Sequence, residues 1–245
     1  LREKVEMLAG LGVDRILCLK FDAAFCALTA TQFCEKILVN GLAIQHLVVG
    51  DDFRFGHDRS GDFAFLQKTG ETNGFSVQHT CTYQVEGERV SSSRIRDALE
   101  RGAFDHVARL LGRCYTMSGR VVHGDQIGRT IGVPTANILL QRSISPLNGV
   151  YAVEVSVTAD ANHQSEELIE AVANVGCRPT VGGSQVRLET HLFNYKKDIY
   201  GRRITVAFRH EIRKEQKFDG LEALKAQISQ DICSAKTFFS QLTNC

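Results

Sequence analysis

The stretch "GVYAVEVSV", residues 149–157, alternates large apolar side chains with smaller or polar ones. The large side chains recur at every second position: Tyr151, Val153, Val155 and Val157. They therefore share one face of a strand, since successive side chains of a strand point to opposite sides. The same period recurs at 186–192 and 204–208. Turn residues separate these runs: Asn148-Gly149, Gly182-Gly183 and Gly201. Short alternating strands with polar turns predict a closed antiparallel barrel, which leaves no sheet edge exposed.

The first 110 residues follow a different pattern, in which apolar runs typical of strands alternate with helix patterns. Three runs predict strands: "RILCLKF" at 15–21, "IQHLVVG" at 44–50 and "GFSVQHT" at 74–80. The intervening helix patterns include "GDFAFLQKTG" at 61–70, which Gly70 is expected to end. Strands that alternate with helices predict an α/β unit with a parallel sheet.

The pattern changes at residues 109–113, so we predict two domains, 1–110 and 111–245. The second domain ends in a helix that begins near Asp219, a good N-cap residue. Its apolar face is expected to consist of Leu221, Leu224, Ile228 and Ile232.

Composition is that of a soluble globular protein, with 43% hydrophobic and 23% charged residues and a net charge of +1. This charge does not favour a nucleic-acid partner, and the sequence holds no apolar run of the ~20 residues that span a bilayer. The charged N-terminal residues do not resemble a signal peptide, so we expect a cytoplasmic protein. The eight cysteines lack zinc-site spacing, and Cys18 and Cys26 are interpreted as buried thiols.

The first candidate site is "GRTIGVPTANI", residues 128–138. Glycines before Pro134 allow the backbone to approach a ligand closely. Thr135 and Asn137 are two residues apart, so in a strand their oxygens point the same way. Such neutral oxygens suit Mg²⁺ bound to phosphates. Spacing alone favours an ordinary turn that leads into a strand.

The second candidate is Glu189 in "VRLETHLFNY", residues 186–195. Strand alternation places Arg187, Glu189 and His191 on the face opposite Leu188. A carboxylate in that position could take a proton from a substrate hydroxyl. Without other information, a solvated surface glutamate is the more common case.

The first half holds two further candidates. "VVGDDFRFG", residues 48–56, places Gly50 and Asp52 at the end of a strand, where open α/β sheets bind ligands. "VSSSRIR", residues 90–96, places Ser92, Ser93 and Arg96 at the start of a helix, where free amides and an arginine suit anions. An ordinary loop exit and an ordinary serine N-cap with surface arginines are equally good interpretations.

Together these stretches resemble the bacterial bifunctional riboflavin kinase/FMN adenylyltransferases, or FAD synthetases. The resemblance covers essentially the whole chain and depends on motifs that occur in the family's order: "GDDFRFG", "VSSSRIRDAL", "LLGRCYTMSGRVVHGDQIGRTIGVPTANI", "GVYAV", "ANVGCRPTVGG", "LETHLFNY" and "IRKEQKF". It implies a Rossmann-like nucleotidyltransferase module followed by an antiparallel Greek-key barrel of riboflavin kinase type and a C-terminal helix.

The resemblance also implies an activity and its site. The barrel would transfer the γ-phosphoryl group of ATP to the 5′-hydroxyl of riboflavin, giving FMN, with Thr135 and Asn137 holding Mg²⁺ and Glu189 as general base. The implied nucleotide contacts are Gly124, Gly128, Arg129, Pro134, Thr135 and Asn137 in the kinase, with Gly50, Asp52, Ser92, Ser93 and Arg96 in the nucleotidyltransferase. "IRKEQKFDG" and "GCRPTVGG" would help to form the flavin side. The partners would be small molecules, namely riboflavin, FMN and ATP.

The sequence departs from the family in its first domain. The family's G-x-F-D-G-x-H-x-G-H segment is absent from these 245 residues, and "FDAAF" at 21–25 holds no histidine pair. We therefore expect a truncated adenylyltransferase module that is inactive in this chain, although the full-length protein would also convert FMN to FAD. The alternative function is a flavin- or nucleotide-binding regulatory module without catalysis.

Overall fold

The computed structural model describes residues 1–50, 52–124, 132–140, 142, 144–157, 168–180 and 183–243, and gives side chains except at 177–180, 183–185 and 243. The chain divides into two compact units, Leu1–Arg89 and Val90–Cys245. The helices between residues 90 and 111 thus group with the C-terminal unit. None of the helices in the described ranges is long and apolar enough to cross a membrane.

The N-terminal unit combines short helices with a parallel strand pair. Its helical segments are α1 (Arg2–Gly10), α2 (Ala23–Cys26), α3 (Ala30–Phe33), a π-helical turn (Cys34–Val39) and α4 (Phe63–Asn73). Its strands are β1 (His46–Gly50), β2 (Ser76–Thr80), β3 (Gln84–Val85) and β4 (Glu88–Arg89). β1 and β2 pair in parallel, with Leu47 opposite Val77, as the α/β interpretation predicts. The buried core consists of Ala30, Cys34, Leu38, Phe55 and Leu66.

Three expectations for this unit are wrong: the strand at 15–21, the burial of Cys18 and Cys26, and the helix end at Gly70. The run at 15–21 forms no strand, and Leu17 and Phe21 are 57% and 80% exposed. An apolar run remains a strand only where a neighbour satisfies its backbone, and no described strand pairs with this one. Val48 in β1 is 51% exposed, so that strand is not buried throughout. Cys18 and Cys26 are exposed as well.

Helix α4 continues past the glycine that was expected to end it. Gly70 is buried inside the helix, where a Cβ atom would overlap the carbonyl oxygen of Phe75. The helix ends instead at Gly74, which adopts a left-handed conformation with φ of 77°. Close packing, rather than helix termination, therefore explains the glycine at 70.

Two helices open the C-terminal unit, α5 (Ser92–Glu100) and α6 (Phe104–Leu111). The Ser91 hydroxyl caps α5 by accepting a hydrogen bond from the backbone N–H of Arg94 at 3.3 Å. The left-handed Gly112 ends α6. Buried Leu99 and Phe104 join these helices to the core of the following barrel.

Six described strands close into an antiparallel barrel: β5 (Tyr115–Val122), β6 (Ala136–Leu139), β7 (Gly149–Val157), β8 (Ile169–Thr180), β9 (Gly183–Leu192) and β10 (Arg203–Lys214). Their spatial order is β10-β5-β6-β9-β8-β7, and β10 also pairs with β7. Because β6 lies beside β9 rather than β7, strands β6 to β9 form a Greek key. The predicted barrel is therefore confirmed.

The alternating side chains fill the barrel as predicted. All of the following are buried in one cluster: Tyr151, Val153, Val155, Val157, Val186, Leu188, Leu192, Ile204, Val206 and Phe208. The hydroxyl of Tyr151 accepts a hydrogen bond from the backbone N–H of Asn148 at 3.0 Å. Burial and, to a smaller extent, the Glu211 charge raise the pKa of Tyr151 to about 12. The phenol thus stays neutral inside an apolar core.

The last helix, α7 (Leu221–Thr243), packs on the outside of the barrel. Ala235 and Phe239 of this helix bury Val150, Ala152 and Val172 of β7 and β8. The predicted apolar face is partly wrong, because Leu221 in the first turn is 52% exposed. Strand β7 is therefore covered on both faces over its first half.

Candidate functional site

Two cavities at the barrel share one lining residue. The larger, of about 510 Å³, is lined by Val121, Gly124, Pro134, Thr135, Ala136, Asn137, Leu192 and residues 195–200. The smaller, of about 330 Å³, contains Glu189 together with residues of β8, β10 and α7. Thr135 lines both. The segment just before β6 therefore separates two compartments of the size typical of small-molecule sites.

Three polar side chains form a row across neighbouring strands at this boundary. Asn137 of β6 is directly opposite Glu189 of β9, and Glu189 is directly opposite Asn174 of β8. Directly opposed residues have Cβ atoms about 5 Å apart on the same face. Since Leu188 is in the buried core, these three side chains point outward. The row thus connects the larger cavity, which holds Asn137, to the smaller one.

Gly124 approaches the side chain of Asn137 closely. A Cβ atom at Gly124 would overlap the Nδ2, Cγ and Oδ1 atoms of that amide. The glycine therefore leaves the space in which the asparagine amide lies at the cavity wall. This is a specific reason for a glycine two residues after β5, beyond general backbone freedom.

His191 links β9 to the turn before β6. Its Nδ1 atom lies 2.8 Å from the carbonyl oxygen of Pro134. Only a protonated Nδ1 can donate to a carbonyl, so this contact fixes the proton position on the ring. The ring also packs edge-on against Phe193, with centroids 5.8 Å apart.

The smaller cavity has an apolar wall and a charged end. Apolar side chains of β7, β8, α7 and two connecting segments line it: Val133, Val150, Val172, Ala173, Phe218, Leu224 and Ile228. Arg213 donates from Nε to Asp231 Oδ1 at 2.9 Å and from Nη2 to Oδ2 at 2.7 Å. Asp231 is 4% exposed and also accepts from Gln227, so the pair fastens α7 to β10. The Phe218 ring lies 5.5 Å from the guanidinium carbon of Arg213.

The donor set at the larger cavity fits a phosphate-bound magnesium ion. Thr135 and Asn137 both line it with neutral oxygens, the ligand type that Mg²⁺ accepts. Among the described residues, no group of three or more histidine, cysteine, aspartate or glutamate side chains could form a metal cage. A metal here would accordingly take most of its ligands from substrate phosphates and water.

The other predicted site residues lie elsewhere or outside the described ranges. Gly128 and Arg129 are not among the described residues. In the N-terminal unit, Gly50 ends β1, and exposed Asp52 accepts a hydrogen bond from Arg89 at 2.9 Å. In the C-terminal unit, Ser92, Ser93 and Arg96 are exposed in the first turns of α5, where Ser91 provides the cap.

Sequence reasoning did not assign several residues that line the cavities. Asn174 lies in the quoted stretch "ANVGCRPTVGG" but was not singled out there, and the β8–β9 register brings it beside Glu189. Lys196 and Lys197 precede Asp198, which caps a turn by accepting from the Tyr200 N–H at 2.9 Å. Both lysines line the larger cavity, where their positive charge suits an anionic ligand. Two adjacent lysines before a predicted turn were the available signal.

Comparisons with known proteins agree with this architecture. The family model described as riboflavin kinase matches residues 111–239, and the one described as FAD synthetase matches residues 1–94. The bifunctional riboflavin kinase/FMN adenylyltransferase of Escherichia coli K12 is 49% identical over 239 residues, which cover 98% of this chain and 74% of the relative. The Pseudomonas fluorescens relative of the same name is 47% identical, covering 93% of this chain and 71% of its own length.

A solved structure has the same fold. The crystal structure of a protein named macrolide-efflux protein from Streptococcus pneumoniae superposes with a TM-score of 0.75 at 32% identity. The match covers 96% of this chain and 74% of that one. With half of the chain matched by the riboflavin kinase model and close relatives matched over nearly its whole length, the chain belongs to the family of bifunctional riboflavin kinase/FMN adenylyltransferases.

Proposed function

We propose that the barrel unit binds ATP in the larger cavity and riboflavin in the smaller one, and transfers the γ-phosphoryl group to the flavin 5′-hydroxyl to give FMN and ADP. The observation that supports this arrangement is the shared position of Thr135, which lines both cavities. Phosphoryl transfer depends mainly on positioning and on stabilising charge, so two compartments that meet at one wall suit it.

The larger cavity suits a nucleotide triphosphate. Thr135 and Asn137 offer oxygens for Mg²⁺, which would neutralise charge on the β- and γ-phosphates when bound. Lys196 and Lys197 add positive charge at the same cavity. Gly124 keeps room for the Asn137 amide, so this side chain can stay oriented towards the phosphates.

Glu189 is the proposed general base. It lies in the smaller cavity and directly opposite Asn137, so a hydroxyl group placed there would lie between the carboxylate and the nucleotide phosphates. The carboxylate takes the proton of the flavin 5′-hydroxyl while that oxygen forms a bond to the γ-phosphorus. The bond from this phosphorus to the bridging oxygen of the β-phosphate breaks, and ADP leaves.

The smaller cavity suits the flavin ring. Val150, Val172 and Phe218 give it apolar walls for a flat aromatic group. Arg213 and Asn174 lie at the same cavity and can donate hydrogen bonds to polar ring edges. Such a combination of apolar walls and few polar groups is typical of small-molecule sites.

Comparing Glu189→Gln and Glu189→Ala with the unchanged chain tests the base assignment. The assay follows FMN formation from riboflavin, ATP and Mg²⁺ by chromatography, and riboflavin binding by fluorescence. Both variants should lower kcat by about 10²- to 10⁴-fold with little change in riboflavin Kd. Glu170→Gln is the matched control, because Glu170 is an exposed carboxylate on β8 outside both cavities. Unchanged kcat in both Glu189 variants would show that the assignment is wrong.

The second candidate function, a binding module without turnover, makes a different prediction in the same assay. It predicts tight riboflavin binding by the unchanged chain with no ATP-dependent FMN. The outward row of Asn137 and Glu189 favours catalysis, because a binding module has no need of a carboxylate opposite a metal-binding amide. A cytoplasmic location and the absence of nucleic-acid or membrane partners stay predictions from the sequence.

A further inference from the structure

The hydrogen-bonded ladder between β6 and β9 ends next to Thr135, the residue that lines both cavities. Ala136 pairs with Thr190 and is the first residue of β6, so Thr135 lies beyond the regular pairing. The preceding Pro134 has no backbone N–H and cannot extend the ladder on its own. The backbone before β6 is therefore held by something other than strand pairing.

His191 supplies a contact at this point. It follows Thr190 on β9, and its Nδ1 atom reaches the Pro134 carbonyl oxygen at 2.8 Å. The side chain thus adds one cross-strand hydrogen bond where the ladder ends. Among the described residues, Pro134 and Thr135 line the larger cavity, and Thr135 and His191 line the smaller one.

We propose that His191 is a positioning residue, which holds the Pro134–Thr135 backbone in place and thereby sets where Thr135 meets both substrates. This inference rests on the proposed kinase function of the same site. His191 acts through the turn and takes no proton from a substrate.

Packing alone is the competing explanation, since the ring also contacts Phe193. Two substitutions separate packing from hydrogen bonding. His191→Phe keeps an aromatic ring beside Phe193 but removes the donor. His191→Asn loses the ring but places an amide N–H near the position of Nδ1.

The experiment measures both variants by two independent methods. In the FMN assay, we expect His191→Phe to lower kcat/KM for ATP by about 3- to 10-fold, the equivalent of one hydrogen bond, and His191→Asn to recover most of it. Hydrogen exchange of the peptide covering residues 132–139 should become faster by a similar factor in His191→Phe only. Thermal unfolding serves as the control for global stability.

The outcomes distinguish the positioning role from the function itself. If the unchanged chain makes no FMN, the proposed function fails, while hydrogen exchange still decides whether His191 holds the turn. Wild-type exchange and kinetics in His191→Phe would overturn the inference. Equal loss in both variants, with exchange altered throughout the barrel, would assign His191 to packing.

Discussion

Replacing Gly124 by alanine places a methyl group in the space that the Asn137 amide occupies. The added Cβ atom would be closer than 3.0 Å to Nδ2, Cγ and Oδ1 of Asn137, a separation that Cβ atoms essentially never show. Restoring ordinary contact requires the amide to move by about 1 Å, a displacement that can cost about 10²-fold in rate at a catalytic centre. The corresponding loss of transition-state stabilisation is about 2.7 kcal/mol.

Steady-state FMN formation at varied ATP and fixed saturating riboflavin measures this loss. The chain offers its own control, since the effect should act through Asn137. In an Asn137→Ala background the methyl group has room, so Gly124→Ala should cost far less there than in the unchanged chain. Full activity of the single variant, or equal losses in both backgrounds, would refute the reasoning.

Three further experiments test the structure and the activity. Asp231→Ala leaves the Arg213 guanidinium without its buried carboxylate, so unfolding in denaturant should show a loss of about 3 kcal/mol and riboflavin titration a weaker affinity. Because burial raises the pKa of Tyr151 to about 12 from an ordinary value of 10.0, the stability present below pH 10 should be lost as pH rises through 12, by about 3 kcal/mol in total. Tyr151→Phe should remove that part of the pH dependence in denaturant titrations; an identical decline in both proteins would assign it to other groups. A polypeptide of residues 1–245 supplied with FMN and ATP should form no FAD, and robust FAD synthesis would contradict the expectation drawn from its missing histidine motif.

The barrel was predictable because its side chains follow one period over whole strands. Tyr151 and Val153 face the core because any other register would expose them, and the same alternation brings Glu189 to the outer face. The row of Asn137, Glu189 and Asn174 could be predicted only in part. Asn137 and Glu189 stood out by residue type and spacing, whereas Asn174, although it lies in one of the quoted motifs, joins them through a strand register that local sequence does not specify.

The errors share a physical origin. The run at 15–21 has the composition of a strand, but a strand depends on a neighbour, and composition carries no information about pairing. Glycine is a residue type that often ends a helix, but Gly70 lies within α4, where Phe75 packs closely against it. The proposed positioning role of His191 could not be predicted from the sequence for a similar reason, because its hydrogen-bond partner is a carbonyl group 57 positions away in the chain.

The position of α7 has a consequence for the order in which the two compartments are completed during synthesis. The described lining of the larger cavity ends at Tyr200, whereas the smaller cavity requires Leu224, Ile228 and Asp231 from the last helix. A nascent chain therefore releases the described lining of the larger cavity from the ribosome before the smaller cavity can close. A chain that stops before Leu221 would still carry the described lining of the larger cavity, but its smaller cavity would lack one wall.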